Sequence, residues 1–332
     1  MTEFKALLLE DIDGEIGAKI TSCHTEQLSE GDTLIAVSYS AINYKDALAT
    51  QPGGGVVRNY PMIPGIDLVG KIIETTSQNW QAGDEVIVTG QGTGVTHTGG
   101  LSGLARIPSD WMIKLPSKMT ARDAMIFGTA GITAMRAIQR LENEGMGQDK
   151  DVPIMVSGAS GGVGSLALIF LASLGYTNII ALSRKNESIS YLKSIGAHRV
   201  MSPETLHAEK YRPLERQQVA YVIDTIGGSF VENILPKVAY GGAVALCGNA
   251  SGIKFSGTVL PFILRGIAVL GVDSVQLSQE DKKLLWERIA ELTDKPFLEK
   301  IKINEVALTD ELMMTVSELL QGTHTGRTIV KI

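Results

Sequence analysis

The 332-residue chain contains only two cysteines, Cys23 and Cys247. Two cysteines are too few for a disulfide framework or for a structural zinc site built from cysteines. No apolar run approaches the roughly 18 residues needed to cross a bilayer, and Arg265 interrupts the stretch 259–272. The first residues include an acid, Glu3, where a secretory signal would carry only basic charge. These absences predict a cytoplasmic protein that does not contact a membrane.

Clusters of lysine and arginine are absent as well, and the formal net charge is −6. A nucleic-acid-binding surface needs such clusters, so nucleic acid is not an expected partner. No Ser-His-Asp arrangement or paired-carboxylate motif points to hydrolysis. Glycine, in contrast, is abundant, with 36 residues, which predicts many tight turns or close backbone approaches. The length suits two domains.

The pattern of apolar residues predicts an α/β protein with two differently built halves. The first 118 residues predict short strands between glycine and proline turns, at 5–9, 32–40, 68–74, 85–88 and 105–107. Thr120 and Asp123 then mark the start of a long helix. Strand-like and helix-like segments alternate up to Gly271, which predicts a six-stranded parallel sheet with strands at 154–157, 179–183, 199–201, 221–224, 243–247 and 268–272. Helices at 280–292 and 310–320 and strands at 302–306 and 328–332 complete the chain.

A glycine-rich turn at 158–164 is the strongest local signal for a ligand. It follows an apolar strand and opens an apolar helix, as in the dinucleotide-binding fingerprint, although Ala159 replaces the first glycine of the usual pattern. Gly161 would allow a pyrophosphate to approach the backbone, and Gly164 would allow close packing of helix and strand. The free N–H groups and positive dipole end of the helix favour an anion. The cofactor-binding residues predicted here are Ser160, Gly161, Gly162 and Val163.

The residues after the second predicted strand indicate which nucleotide is bound. An enzyme that binds NAD places an Asp or Glu there, about 20 residues after the glycines, to bond the ribose 2′-hydroxyl. This chain has Ser183, Arg184 and Lys185 instead. Two cations suit a 2′-phosphate and predict NADPH, while the alternative is a solvated pair at a helix start. Tyr211 and Arg212 are further candidates for a phosphate contact.

Six sequence blocks in order resemble the medium-chain dehydrogenase/reductase superfamily, and more narrowly its quinone oxidoreductase-like branch, which includes acryloyl-CoA reductases of the YhdH/YhfP type. The blocks are Asn43-Tyr44-Lys45-Asp46-Ala47-Leu48, Pro61-Met62-Ile63-Pro64-Gly65-Ile66-Asp67, Gly128-Thr129-Ala130-Gly131, the glycine turn, Gly271-Val272-Asp273-Ser274 and Gly326-Arg327-Thr328. The resemblance implies a GroES-like catalytic domain at 1–121, completed by 274–332, and a Rossmann NADPH-binding domain at 122–273. It also implies a homodimer formed through an edge strand, for which 268–272 is the candidate.

One departure from the alcohol dehydrogenases of this superfamily concerns the catalytic metal. Their zinc is held by a cysteine and a His-Glu pair, and the matching positions here are Asn43, Ile66 and Asp67. Asparagine and isoleucine cannot supply the thiolate and imidazole that zinc requires. The five histidines, at 24, 97, 198, 207 and 324, show no ligand spacing and are expected on the surface or in loops. We therefore predict no metal.

The resemblance also implies roles for individual residues. Tyr44 would lie beside the nicotinamide, where a phenol can pack on the ring or donate a proton. Asn43 could donate a hydrogen bond to a substrate carbonyl, and Asp46 could cap the turn. Thr129 lies in a stretch that approaches the nicotinamide. The remaining candidates for cofactor binding are Cys247, Gly248 and Asn249 at the carboxyl edge of the sheet, and Ile263, Ser274 and Arg327.

These patterns predict an NADPH-dependent reductase of a small-molecule substrate with an activated C=C bond, with acryloyl-CoA or a related 2-enoyl-CoA implied by the resemblance. The reductase would transfer a hydride to the β-carbon and a proton to the α-carbon. Reduction of quinones is the main alternative, because the sequence offers CoA only scattered cations, such as Lys45, Arg58 and Arg106. An NADPH-binding protein without turnover is a third interpretation.

Overall fold

The computed structural model describes residues 2–206 and 212–332. In chain order the strands are β1 Glu3–Ile12, β2 Glu15–His24, β3 Thr33–Ile42, β4 Asp67–Thr75, β5 Glu85–Thr89, β6 Leu104–Ile107, β7 Ile113–Lys114, β8 Ile154–Val156, β9 Ile179–Leu182, β10 Arg199–Met201, β11 Val219–Asp224, β12 Val238–Leu246, β13 Ala268–Gly271, β14 Ile303–Ala307 and β15 Arg327–Lys331. The helices are α1 Tyr44–Ala49, α2 Ala121–Asn143, α3 Gly162–Ser173, α4 Ile189–Ser194, α5 Ser229–Ile234, α6 Leu260–Arg265, α7 Gln279–Leu292, α8 Lys295–Lys300 and α9 Leu312–Gln321.

The chain divides into two compact units. The first contains Met1–Ile132, Ser274–Asp294 and Lys302–Ile332, and the second contains Thr133–Asp273 and Lys295–Ile301. The domain boundaries given above by resemblance stay a prediction.

The first unit is built mainly from β-strands. Its larger sheet has the strand order β14-β15-β3-β4-β5-β7, with β6 paired to β3, and the β1–β2 hairpin forms a separate two-stranded sheet. Ile35, Leu68, Val86, Val88 and Ile107 are buried together on this sheet. Because β15 pairs with β3, the last strand of the chain joins a sheet made by its first half. This agrees with the GroES-like fold and C-terminal return that the resemblance implied.

The second unit contains a six-stranded parallel sheet with the strand order β10-β9-β8-β11-β12-β13. This order matches the doubly wound dinucleotide-binding fold, and the predicted six strands are confirmed. The central strand β8 is buried throughout, as expected for a parallel strand with both faces covered. The hydrophobic core of the second unit includes Met155, Ile180, Val222 and Val244. Among the strands of the described residues, β13 pairs only with β12 and so forms an edge.

Helix α2 begins as predicted but is not continuous. Thr120 and Asp123 cap each other, with the Asp123 amide donating to Thr120 Oγ1 at 3.1 Å and the Thr120 amide donating to Asp123 Oδ2 at 3.2 Å. At Gly128 the backbone leaves helical geometry, with φ 49° and ψ −149°. The sequence predicted one uninterrupted helix, because apolar spacing continues through this break.

Other differences from the sequence prediction lie in weakly patterned segments. Strand β2 was not predicted, since all but one of its residues are half-buried or exposed and the apolar alternation is weak. Strand β12 begins at Val238 rather than at residue 243, because its pairing with β11 is interrupted by a register shift. His97 lies in a loop, as the prediction allowed, but it is buried: its ring nitrogens lie 3.0 Å from Thr98 O and 2.9 Å from Glu30 O. His207 lies outside the described residues.

Among the described residues, no helix has the length and apolar character needed to span a membrane.

Candidate active site

Five polar side chains of the first unit meet at the ends of its strands and helices, and we call them the polar centre. Asn43 precedes α1, Asp46 lies in the first turn of α1, Asp67 begins β4, Thr129 follows the break in α2, and Arg327 begins β15. They come from four of the six blocks that carried the family resemblance. Side-chain hydrogen bonds connect all five: Asp46 and Arg327 bond Asn43, Thr129 bonds Asp67, and Asn43 and Asp67 bond each other.

Asp46 holds the first turn of α1 in place. Its Oδ2 accepts from the Asn43 amide at 2.8 Å, and its Oδ1 accepts from the Ile66 amide at 3.0 Å. The predicted capping of this turn is thus present. Asp46 is 3% exposed, and burial raises its pKa to about 6, with the charge of Asp67 acting in the same direction.

Asp67 is fully buried, and its carboxylate accepts hydrogen bonds from Asn43 and Thr129. Asn43 Nδ2 donates to its Oδ2 at 2.8 Å, the Thr129 amide lies 3.0 Å from each carboxylate oxygen, and the Thr129 hydroxyl donates to Oδ1. Burial raises the pKa of Asp67, while these hydrogen bonds and the charge of Arg327 oppose the rise. A Cβ on Gly128 would lie 2.4 Å from Oδ2, so the break in α2 lets the helix approach the carboxylate.

Arg327 is the only cation of the polar centre and is 2% exposed. Its Nε donates to Ile126 O at 2.8 Å, and its Nη1 donates to Asn43 Oδ1 at 3.1 Å. Its Nη2 is buried and has no hydrogen-bond partner among the described residues. Burial lowers the pKa of the guanidinium, and the charges of Asp67 and Asp46 oppose this.

The hydrogen-bonding capacity of the predicted catalytic residues differs. The Asn43 amide donates to Asp67 and also to Asp46, at 3.3 Å. It has no hydrogen left for a substrate carbonyl, and the Thr129 hydroxyl hydrogen is likewise directed to Asp67. Tyr44, at the start of α1, is 36% exposed, and no described residue hydrogen-bonds its hydroxyl. Tyr44 is thus the predicted catalytic residue that can donate a proton without breaking the polar centre.

The donor set of the polar centre does not fit zinc. Asn43 offers a neutral amide already bonded to two carboxylates and Arg327, and Ile66 has no ligand atom. Asp67 faces the Arg327 cation and three hydrogen-bond donors. Within residues 2–206 and 212–332, no group of three or more His, Cys, Asp or Glu side chains is placed to hold a metal. That the enzyme works without a metal stays a prediction.

The glycine turn of the second unit is closed by an internal hydrogen bond and leads directly into α3. The Gly161 amide donates to Gly158 O at 3.0 Å, which closes the turn, and α3 begins at the next residue. A Cβ on Gly164 would lie 2.4 Å from Gly158 O, so this glycine is required for packing. A Cβ on Gly161 would meet only Gly158 O, at 3.3 Å. A side chain at Gly161 would instead project into space where a ligand could approach the turn.

The residues predicted to select NADPH lie next to this turn. The Ala159 amide donates to Leu182 O at 3.0 Å, joining the glycine turn to the end of β9. Ser183 follows, and its hydroxyl accepts from the Lys185 amide at 3.1 Å. Arg184 is exposed and Lys185 half-buried. Arg212 is exposed, whereas Tyr211 lies outside the described residues.

The other predicted cofactor residues occupy varied positions. Cys247 and Gly248 follow β12, and Asn249 beside them is exposed. Burial raises the pKa of the Cys247 thiol to about 12, so this thiol is not a nucleophile at neutral pH. Ile263 is 70% exposed on α6 of the second unit, and Ser274 is buried in the first unit.

A cavity of about 240 Å³ in the first unit lies between the β1–β2 turn and residues 51–57. None of the predicted site residues lines it.

Asp224, which is fully buried at the end of β11, was not among the predicted site residues. Its signal was an acid directly after an apolar run, at the edge where ligands of parallel sheets bind.

Two family profiles match the chain. The profile "Alcohol dehydrogenase GroES-like domain" matches residues 29–117, and "Zinc-binding dehydrogenase" matches residues 162–291. The name of the second refers to a metal whose ligand set is not present at the polar centre.

Several relatives match over the whole chain. AcuI of Escherichia coli, named as an acrylyl-CoA reductase, is 42% identical, with 99% of both chains covered. The acrylyl-CoA reductase AcuI of Ruegeria pomeroyi is 37% identical, again with 99% of both chains covered. YhfP of Bacillus subtilis carries the name of a quinone oxidoreductase and is 38% identical, with 100% of this chain and 99% of that protein covered.

Solved structures agree with the sequence matches. The yhdH oxidoreductase of Salmonella enterica in complex with NADP has a TM-score of 0.93 at 40% identity, with 99% of both chains covered. The yhfP protein of Bacillus subtilis with NAD bound has a TM-score of 0.95 at 38% identity, with both chains fully covered. The chain therefore belongs to the medium-chain dehydrogenase/reductase superfamily, as its sequence blocks indicated, and it is a nicotinamide-dependent oxidoreductase.

Proposed function

We propose that this protein is a zinc-independent, NADPH-dependent reductase of activated C=C bonds, with acryloyl-CoA or a related 2-enoyl-CoA as substrate. The observation that carries the proposal is the polar centre: Asn43 and Ile66 replace zinc ligands, and Asp67 is bonded by protein donors. Without a Lewis acid, oxidation of an alcohol is disfavoured. Reduction of a double bond conjugated to a carbonyl needs a hydride, a proton donor and a fixed geometry.

Residues of the second unit would hold the cofactor. Backbone amides at the glycine turn and the start of α3 would bind the pyrophosphate, with Ser160, Gly161, Gly162 and Val163 in contact. Ser183, Arg184 and Lys185 would bind the 2′-phosphate, and Arg212 would add charge. When bound, NADPH supplies the hydride that adds to the β-carbon of the substrate.

Residues of the first unit would position the substrate and deliver the proton. Tyr44 has an accessible hydroxyl and would protonate the α-carbon or bond the carbonyl oxygen. Asn43 and Thr129 would act by holding Asp67 and the start of α1, since their donors are engaged there. Arg327 would act in the same way, because its guanidinium bonds Ile126 O and the Asn43 side chain. We assign Cys247, Gly248, Asn249, Ile263 and Ser274 to the surroundings of the cofactor on resemblance alone.

Reduction of quinones is the second candidate function. It is favoured by the name of the YhfP relative and by the dispersed positions of the cations Lys45, Arg58 and Arg106 in the sequence. Binding of NADPH without turnover is the third. The cytoplasmic location stays a prediction.

We further propose that the protein is a homodimer joined through the edge strand β13. Residues near this edge in the sequence expose large apolar side chains, including Val259 at 63%, Ile263 at 70% and Leu264 at 55%. An unpaired edge strand with apolar neighbours readily pairs with a second copy of itself.

The substrate class is tested by steady-state NADPH oxidation with acryloyl-CoA and a simple benzoquinone in parallel, and with NADH as the control cofactor. A far higher kcat/KM for acryloyl-CoA is expected. Preference for the quinone would favour the second candidate, and no turnover with either would favour the third.

Replacing Arg184 and Lys185 together with alanine is expected to weaken NADPH binding by about 2 kcal/mol or more, because charged hydrogen bonds to the 2′-phosphate are lost. NADH affinity should change little. Fluorescence titration of both nucleotides measures this, and Lys193→Ala with Arg199→Ala is the matched control, since it removes two exposed cations elsewhere in the second unit. Equal loss for both nucleotides would contradict the assignment.

Tyr44→Phe is expected to lower kcat about a hundredfold or more if the hydroxyl is the acid, with NADPH affinity unchanged. Tyr39→Phe is the matched control, because this half-buried tyrosine bonds Glu305 instead. Unchanged turnover in Tyr44→Phe would leave Tyr44 with a packing role only.

Asp46→Asn is expected to alter how stability depends on pH. Folded Asp46 has a pKa of about 6 against an ordinary value of 3.8, so between these values the folded chain binds more protons than the unfolded chain. The unfolding free energy of the unaltered protein should therefore fall as pH rises from 4 to 6, relative to the variant, by at most about 3 kcal/mol.

Urea unfolding at several pH values measures the Asp46 effect, and Glu15→Gln, at an exposed position, should show no such trend. If the difference in unfolding free energy between Asp46→Asn and the unaltered protein stayed constant with pH, the charge of Asp46 would not destabilise the folded state.

A further inference from the structure

A second buried carboxylate lies at the carboxyl edge of the parallel sheet. Asp224 ends β11 and is fully buried. Its Oδ1 accepts from the Ser157 hydroxyl at 2.5 Å and from the Ile226 amide at 3.0 Å, and its Oδ2 accepts from the Gly227 amide at 3.0 Å. All three donors are neutral. Asp224 thereby connects the end of β11 to the last residue before the glycine turn.

Ser157 is fixed by these contacts in position and in hydroxyl orientation. Because its hydroxyl donates to a carboxylate, which only accepts, it is free to accept from the Thr225 amide, at 2.8 Å. The Thr225 hydroxyl in turn donates to Ser157 O at 2.9 Å. Ser157, Asp224 and Thr225 therefore form a closed set of hydrogen bonds across β8 and β11, which we call the clasp.

The clasp determines where the glycine turn leaves the sheet. Gly158 follows Ser157 directly, with φ 54°, and a Cβ on it would lie 2.3 Å from Thr225 Oγ1. On the other side of Thr225, a Cβ on Gly248 would lie 2.1 Å from Thr225 O. A Cβ on Gly164 would meet Gly158 O at 2.4 Å. A shift of Thr225 would thus move the turn on which the cofactor amides are carried.

The described hydrogen-bond donors to the Asp224 carboxylate are all neutral, so no positive charge offsets the free-energy cost of burying it between two strands. Burial raises the pKa of Asp224, which records the unfavourable removal of its charge from water. An apolar pair would connect β8 to β11 without that desolvation. The carboxylate supplies several acceptor positions at one point, which orient the serine hydroxyl and two backbone amides together.

We propose that Asp224 is a positioning residue for cofactor binding: through the clasp with Ser157 and Thr225 it fixes the glycine turn in the conformation that receives the pyrophosphate. This inference rests on the proposed role of that turn. Since the pyrophosphate is common to NADPH and NADH, the clasp sets the affinity for both nucleotides and leaves the choice between them to Ser183, Arg184 and Lys185.

The test uses Asp224→Asn, Ser157→Ala and the double variant in the full-length protein. Each single change should raise the dissociation constants of NADPH and NADH by the same factor, about tenfold, because hydrogen bonds to a charged group are lost. The double variant should bind no more weakly than the weaker single variant, because both changes break one connected set. Amide hydrogen exchange in the nucleotide-free protein should accelerate at residues 158–162.

Lys237→Met is the matched control for loss of stability. Lys237 is buried directly before β12, at the amino end of the strands of the same sheet. Its Nζ lies 3.1 Å from Glu215 Oε2 and donates to Asn233 O at 2.9 Å. Its loss should lower the unfolding temperature yet leave both dissociation constants and the exchange at 158–162 unchanged. All titrations are made well below the unfolding temperature of each variant. If Asp224→Asn does not fold, the result for Ser157→Ala alone tests the positioning role.

Unchanged affinity for both nucleotides in the clasp variants would overturn the positioning role while leaving the proposed function intact. A loss confined to NADPH would overturn it too, because the effect would then involve the 2′-phosphate. If the unaltered protein bound neither nucleotide, the proposed function would fall and the positioning role with it.

Discussion

The arrangement of the polar centre in the first unit depends on the hydrogen bonds that the buried Asp67 carboxylate accepts. It accepts from the Asn43 amide, which precedes α1, and from the backbone and hydroxyl of Thr129, where α2 resumes after its break. Arg327, at the start of β15, faces the same carboxylate and bonds Asn43. Removing a charge from water is unfavourable unless partners offset it. The Asp67 carboxylate therefore holds together the strands and helices that carry these partners. Tyr44 directly follows Asn43, at the start of α1.

The fold was largely predictable because strong local signals coincide with its main elements. Apolar runs at β8, β9 and β11 marked the parallel sheet, and Thr120 with Asp123 marked the start of α2. The break at Gly128 escaped prediction, since glycine within an apolar helical pattern carries no periodic signal, and the carboxylate that Gly128 approaches belongs to the distant Asp67. Strand β2 was missed for a different reason: neither of its own faces is consistently buried, so the apolar alternation is weak.

The candidate site was predictable residue by residue but not as a network. The turn at 158–164 and the neighbouring Ser183 were found together, because their spacing follows from a strand order that recurs. Sequence also marked Asn43, Asp46, Asp67, Thr129 and Arg327. It could not reveal that the Asn43 amide is shared between the carboxylates of Asp46 and Asp67, because Asp67 reaches it from β4, 24 positions along the chain. The clasp at Asp224 was missed because its partners lie almost 70 positions apart.

The central claim is that protein donors, and no metal, occupy the surroundings of Asp67 in the working enzyme. Elemental analysis of protein purified without added metal, together with its rate of NADPH oxidation after exhaustive chelation, tests this most directly. We expect active protein with far less than about one zinc per chain and a rate that chelation does not change. A content near one zinc per chain, with activity lost on chelation and restored by zinc, would contradict the account.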